Sequence, residues 1–175
     1  VGVQPFDTIT VIGFNTPEYL FTVMGSIEAG CVATGIYTTN TPDACLYVMN
    51  HCKSRVIVVN GMALLNKILS IRTRLPNLTH IIVYNVDAAT PLPQPSDAFA
   101  TVESWTSFLS RGSAAQDALI ESRVASLQPG NCLSLIYTSG TTGNPKAAMI
   151  SHENVCFVCQ VIRDVIKLSR KARVV

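Results

Sequence analysis

The chain has 175 residues, 48% of them hydrophobic and 14% charged, a balance ordinary for one globular domain with a substantial core. Its 13 Lys and Arg against 11 Asp and Glu leave a formal net charge of +2 spread along the sequence, which excludes a basic nucleic-acid face. The most apolar stretch, Tyr19 to Ala33, is broken by Glu28 and falls short of the roughly 20 residues that a bilayer-spanning helix requires.

Six cysteines at positions 31, 45, 52, 132, 156 and 159 sit among apolar neighbours, as reduced core thiols of a cytosolic protein would, and do not form a dense disulfide framework. Cys156 and Cys159 have redox-like spacing but no second pair, and are read as core thiols of a helix. Asn77-Leu78-Thr79 is a chance sequon, and the basic tail from Lys167 to Arg173 is read as a solvated end. Because the sequence starts at Val1, any targeting leader is expected to lie outside the piece shown.

In chain order, Thr8 to Phe14, Cys31 to Ile36, Val56 to Asn60, His80 to Tyr84 and Leu133 to Tyr137 are β-branched apolar runs that read as strands. They alternate with helical segments, so the expected fold class is α/β, a mostly parallel layered sheet with helices on both faces. Thr16-Pro17-Glu18 and Thr41-Pro42-Asp43 each order a capping hydroxyl, a first-turn proline and an acid, and predict two helix starts. The period of Leu64, Leu65, Ile68, Ile71 and Leu75 predicts a third helix over about Met62 to Leu75, ended by Pro76. Prolines 91, 93 and 95 make Asp87 to Ala98 an exposed loop. Short helices are expected around Glu103 to Arg111 and Ala114 to Leu127, and a final one from about His152 to Leu168.

Directly after the strand ending at Tyr137 comes Thr138-Ser139-Gly140-Thr141-Thr142-Gly143-Asn144-Pro145-Lys146. Glycines let backbone N–H groups approach an anion, hydroxyls donate further hydrogen bonds, and a lysine brings a mobile positive charge, so this composition suits a polyphosphate. It is not a Walker A loop: Pro145 precedes the lysine, Ala147 stands where the Ser or Thr that holds magnesium would be, and a strand-like segment, Ala147 to Ser151, follows. The plain alternative is a Ser/Thr/Gly-rich surface turn.

Tyr137 to Lys146 together with Ser151-His152-Glu153-Asn154 closely resemble the phosphate-binding loop and following S-H-x-N of the adenylate-forming (AMP-dependent synthetase/ligase) superfamily; only Ala147 departs, where that family usually has glycine. Gly13-Phe14-Asn15-Thr16-Pro17-Glu18-Tyr19, Ala29-Gly30, Gly35 to Pro42 and Arg74-Leu75-Pro76-Asn77-Leu78 are similar to the bubblegum group of long-chain fatty acid–CoA ligases. The resemblance implies that residues 1–175 are a partial N-terminal AMP-binding domain with its phosphate loop at 137–147.

It also implies an enzyme that uses ATP and Mg2+ to convert a fatty acid to acyl-adenylate and pyrophosphate and then passes the acyl group to CoA. Thr138, Ser139, Gly140, Thr141, Thr142, Gly143 and Lys146 would hold the β- and γ-phosphates, with Lys146 as the catalytic phosphate ligand and not a proton shuttle. The family's later aromatic-Gly-x-[ST]-Glu, T-G-D and C-terminal lysine segments do not occur in this sequence, so the chain alone is expected to be inactive as a ligase. The alternatives are a non-catalytic nucleotide-binding or regulatory module derived from such an enzyme, and a truncated sheet that fails to bind ATP. An open sheet edge and exposed apolar faces are expected, with aggregation on isolation. His152 is open between helix support and substrate placement, and His51 and His80 receive no role. The expected setting is cytoplasmic, and peripheral association of the parent with the cytosolic face of a membrane is left open.

Overall fold

The computed structural model describes residues 1–87, 89–94, 100–138 and 144–166. Seven strands form one sheet: β1 (Thr8–Ile12), β2 (Val32–Ile36), β3 (Val56–Asn60), β4 (His80–Tyr84), β5 (Thr101–Ser104), β6 (Cys132–Thr138) and β7 (Lys146–Ser151). Their spatial order is β5-β4-β3-β1-β2-β6-β7; all neighbours are parallel except β6 and β7, which form an antiparallel hairpin. The mostly parallel α/β expectation therefore holds.

Helices α1 (Pro17–Glu28), α2 (Pro42–His51), α3 (Gly61–Leu69), α4 (Trp105–Leu109), α5 (Asp117–Ser126) and α6 (His152–Ile166) complete the chain. The two anticipated starts are made as the sequence dictates: Thr16 Oγ1 accepts from the Tyr19 amide and Thr41 Oγ1 from the Ala44 amide, each before a first-turn proline. Successive residues of a strand face opposite sides, and the core divides accordingly. Ile57, Val59, Ile81 and Val83 pack with α2 and α3 residues such as Met49, Leu65 and Ile68, whereas Val56, Val58 and Ile82 pack with Tyr19, Val23, Trp105 and Phe108 on the other face.

Three expectations change. The third helix stops at Leu69, not Leu75; a 3-10 turn at Arg72–Arg74 then rolls Leu75 and Leu78 into the core, with Arg72 Nη1 donating to the Leu75 carbonyl at 3.0 Å. Thr101–Ser104 is a strand, β5, because its Val102 and Glu103 are buried beside β4, and the helix anticipated around Glu103 begins only at Trp105. Cys156 and Cys159 are exposed rather than core thiols, since α6 leaves Phe157, Val158 and Val165 in solvent on several sides and buries little of its apolar surface among the described residues. Cys31, Cys45 and Cys52 are buried, as anticipated. Of the proline-rich loop, residues 88 and 95–98 lie outside the described residues, as does the basic tail from 167 to 175.

Candidate functional site

Thr138 and Lys146 are cross-strand partners at the loop end of the β6–β7 hairpin. Directly opposite residues of an antiparallel pair share a face and their neighbours alternate, so Thr138 and Lys146 project with Ile136, and Tyr137 and Ala147 project the other way. Both Thr138 and Lys146 are exposed. Ser139, Gly140, Thr141, Thr142 and Gly143, the remaining phosphate-loop candidates, lie outside the described residues.

The face carrying Ile136 opens on a cleft of about 490 Å3 at the carboxyl ends of β1, β2 and β6, lined by Gly13, Asn15, Tyr19, Gly35, Thr38 and Ile136 among others. Carboxyl ends of parallel strands are where ligands of open α/β sheets bind, because the connecting loops leave a crevice there. The loop bordering this cleft is fixed from α3, whose Lys67 Nζ donates to the carbonyls of Thr38 and Asn40, each at 2.8 Å.

The opposite face of the hairpin is anchored to α2. His51 Nδ1 and Tyr137 Oη share a 2.7 Å hydrogen bond, and Tyr47 Oη donates to the Pro145 carbonyl at 3.1 Å. Tyr47 and His51 stand one helical turn apart with rings stacked at 5.6 Å, and His51 meets Tyr137 edge-on at 5.7 Å. Burial, with Cys52 and Tyr47 adding to it, holds the Tyr137 phenol well above the usual tyrosine range, so it is a neutral hydroxyl. Ala147 packs into this same cluster, so its methyl group, absent from the family's usual glycine, points away from Lys146.

Sequence reasoning gave His51 no role because its partner is 86 residues away. Its i, i+4 spacing to Tyr47 marks a shared helix face, but nothing in the sequence says what that face meets. His80, the other unassigned histidine, bonds Thr79 Oγ1 at 3.1 Å, and burial lowers its basicity.

His152 is not near the hairpin mouth. It starts α6 at the far end of β7 from Lys146, roughly 20 Å away by the rise of an extended strand. The helix entry is closed by its neighbours: Ser151 Oγ accepts from the Asn154 amide at 3.1 Å, and Asn154 Oδ1 accepts from the Ser151 amide at 3.0 Å. The S-H-x-N run is thus a reciprocal helix cap.

A family model described as AMP-binding enzyme matches residues 1–175. The chain belongs to this family. Among curated relatives of this chain, long-chain-fatty-acid–CoA ligase ACSBG1 of Homo sapiens is 34% identical over 160 residues, covering 91% of this chain and 21% of the relative. Long-chain-fatty-acid–CoA ligase ACSBG2 of Gallus gallus is 39% identical over 153 residues, covering 87% of this chain and 19% of the relative. The chain therefore spans about a fifth of the length of the curated relatives it matches. The crystal structure of the anthranilate CoA ligase AuaEII in complex with anthranoyl-AMP superposes with a TM-score of 0.65 at 26% identity, over 91% of this chain and 27% of that one. Acetoacetyl-CoA synthetase from Streptomyces lividans shares the fold, with a TM-score of 0.70 at 19% identity over 96% of this chain and 25% of that one.

Among the described residues, no group of three or more His, Cys, Asp or Glu converges to hold a metal ion. No helix among them is long and apolar enough to cross a membrane.

Proposed function

We propose that this chain is the phosphate-gripping part of an AMP-forming long-chain fatty acid–CoA ligase, with ATP, a fatty acid and CoA as the substrates of the complete enzyme. Thr138, Ser139, Gly140, Thr141, Thr142, Gly143 and Lys146 hold the β- and γ-phosphates of ATP. The observation that carries the reading is the pairing of Thr138 with Lys146 at the loop end of the hairpin, both exposed and projecting with Ile136, a residue of the cleft wall. The family match and the ligase names of the relatives support it.

In this role the lysine cation and the hydroxyl and amide donors favour the state in which negative charge builds on the departing pyrophosphate. ATP is taken as its Mg2+ complex, the metal neutralising charge on the phosphates. The ribose, the acyl chain and CoA are contacted by parts of the enzyme outside this sequence, so the chain by itself forms no acyl-CoA.

Competition binding tests the reading. A loop that grips the terminal phosphates binds ATP and inorganic pyrophosphate more tightly than AMP. Equal affinity for AMP and ATP contradicts it, and acyl-CoA formation by the purified chain contradicts the partial-enzyme reading.

A further inference from the structure

Residues 139–143 are flanked by two strands, and one helix holds both flanks. Tyr47 Oη bonds the carbonyl of Pro145, the residue immediately before Lys146, while His51 Nδ1 bonds the hydroxyl of Tyr137, the residue immediately before Thr138. Backbone pairing alone fixes which residue of β6 faces which residue of β7, but leaves the outer strand free to twist as a sheet edge. A tie from α2 to each flank removes that freedom where the lysine departs from the hairpin.

We infer that Tyr47 and His51 are positioning residues for the phosphate site: together they set where Thr138 and Lys146 stand relative to the cleft. The inference rests on the phosphate-gripping reading above and extends it to two residues that bond Pro145 and Tyr137, the neighbours of Lys146 and Thr138, and so act through the flanks of the site. The Tyr47 tie is a single hydrogen bond to a backbone carbonyl, and the Tyr137 hydroxyl, besides its bond with His51, reaches the Val48 carbonyl of the same helix at 3.4 Å. Tyr137 is buried and Tyr47, Pro145 and Ala147 are half-buried, so water replaces a lost bond poorly at these groups, while His51 reaches Tyr137 from the exposed end of α2.

The test is Mg-ATP titration of the wild-type protein and of Tyr47→Phe, His51→Leu and His51→Asn. The first variant removes one oxygen and keeps the ring. The second removes the polar contact to Tyr137, and the third restores a polar atom near the place of Nδ1. Tyr47→Phe and His51→Leu are expected to weaken Mg-ATP binding about fivefold to tenfold, the equivalent of one hydrogen bond, and His51→Asn to recover most of the loss.

Folding is monitored separately through the single tryptophan, Trp105, which packs against Tyr84 and Phe108 on the other face of the sheet. Weakened binding with unchanged Trp105 emission supports the inference. Wild-type-like affinity in both Tyr47→Phe and His51→Leu overturns it alone, as does a loss in His51→Asn equal to that in His51→Leu. Absence of Mg-ATP binding by the wild-type protein overturns the phosphate-gripping reading and this inference with it.

Discussion

Tyr19 Oη stands 2.7 Å from the point that a Cβ on Gly35 would occupy, so the first helix closes directly over the second strand at the wall of the cleft. No side chain fits between them without moving one of the two. Gly35 is exposed at the cleft and the clashing atom is the tip of a half-buried side chain, so Gly35→Ala is expected to cost about 0.5–1.5 kcal/mol, that of pushing a side chain off its rotamer, measured by denaturant unfolding. Tyr19→Phe in the same chain removes the clashing oxygen, so the double variant should lose less than the sum of the single ones. Strict additivity would show that the two groups do not meet.

The thiols give a second check. Burial pushes the Cys31 and Cys52 thiols up to about 11, while Cys156 and Cys159 are exposed. Alkylation of the native protein at about pH 8 should modify Cys156 and Cys159 and spare Cys31 and Cys52 until the chain is unfolded. The same shift links to stability with a definite sign. Groups whose folded pKa is raised hold their contribution below the unfolded value of 9.0 and lose it as pH climbs towards about 11. Stability should therefore fall through that alkaline window, and a flat profile across it would contradict the buried placement of these thiols.

The third prediction separates His152 from its neighbours. Ser151→Ala removes the acceptor of the Asn154 amide and should cost about 1 kcal/mol, the usual value of an N-cap. His152→Ala, at the far end of β7 from Lys146, should leave Mg-ATP affinity unchanged by titration. A large loss of affinity would return His152 to the nucleotide site.

Much of this fold was legible because its signals are local. Val56–Asn60 and His80–Tyr84 are unbroken apolar runs covered by helices on both faces, and their limits in the sequence match those in the structure. The Thr-Pro-acid starts of α1 and α2 were equally plain, since a cap is decided by three or four adjacent residues. What was not legible depends on distant partners. Thr101–Ser104 becomes a strand because β4 lies beside it, and Leu75 enters the core through a 3-10 turn although its spacing suits a longer helix. The site divides in the same way: Thr138 and Lys146 were named from composition, but the hold of Tyr47 and His51 on their flanks needed the packing of α2 on the hairpin.

The central claim is that the hairpin between β6 and β7 grips a nucleotide's terminal phosphates through Lys146. Calorimetric titration of Mg-ATP into the wild-type chain and Lys146→Ala tests it most directly. A charge-assisted contact predicts saturable binding by the wild type, weakened about tenfold to a hundredfold by the substitution. Equal affinities in the two chains, or no binding in either, would contradict it.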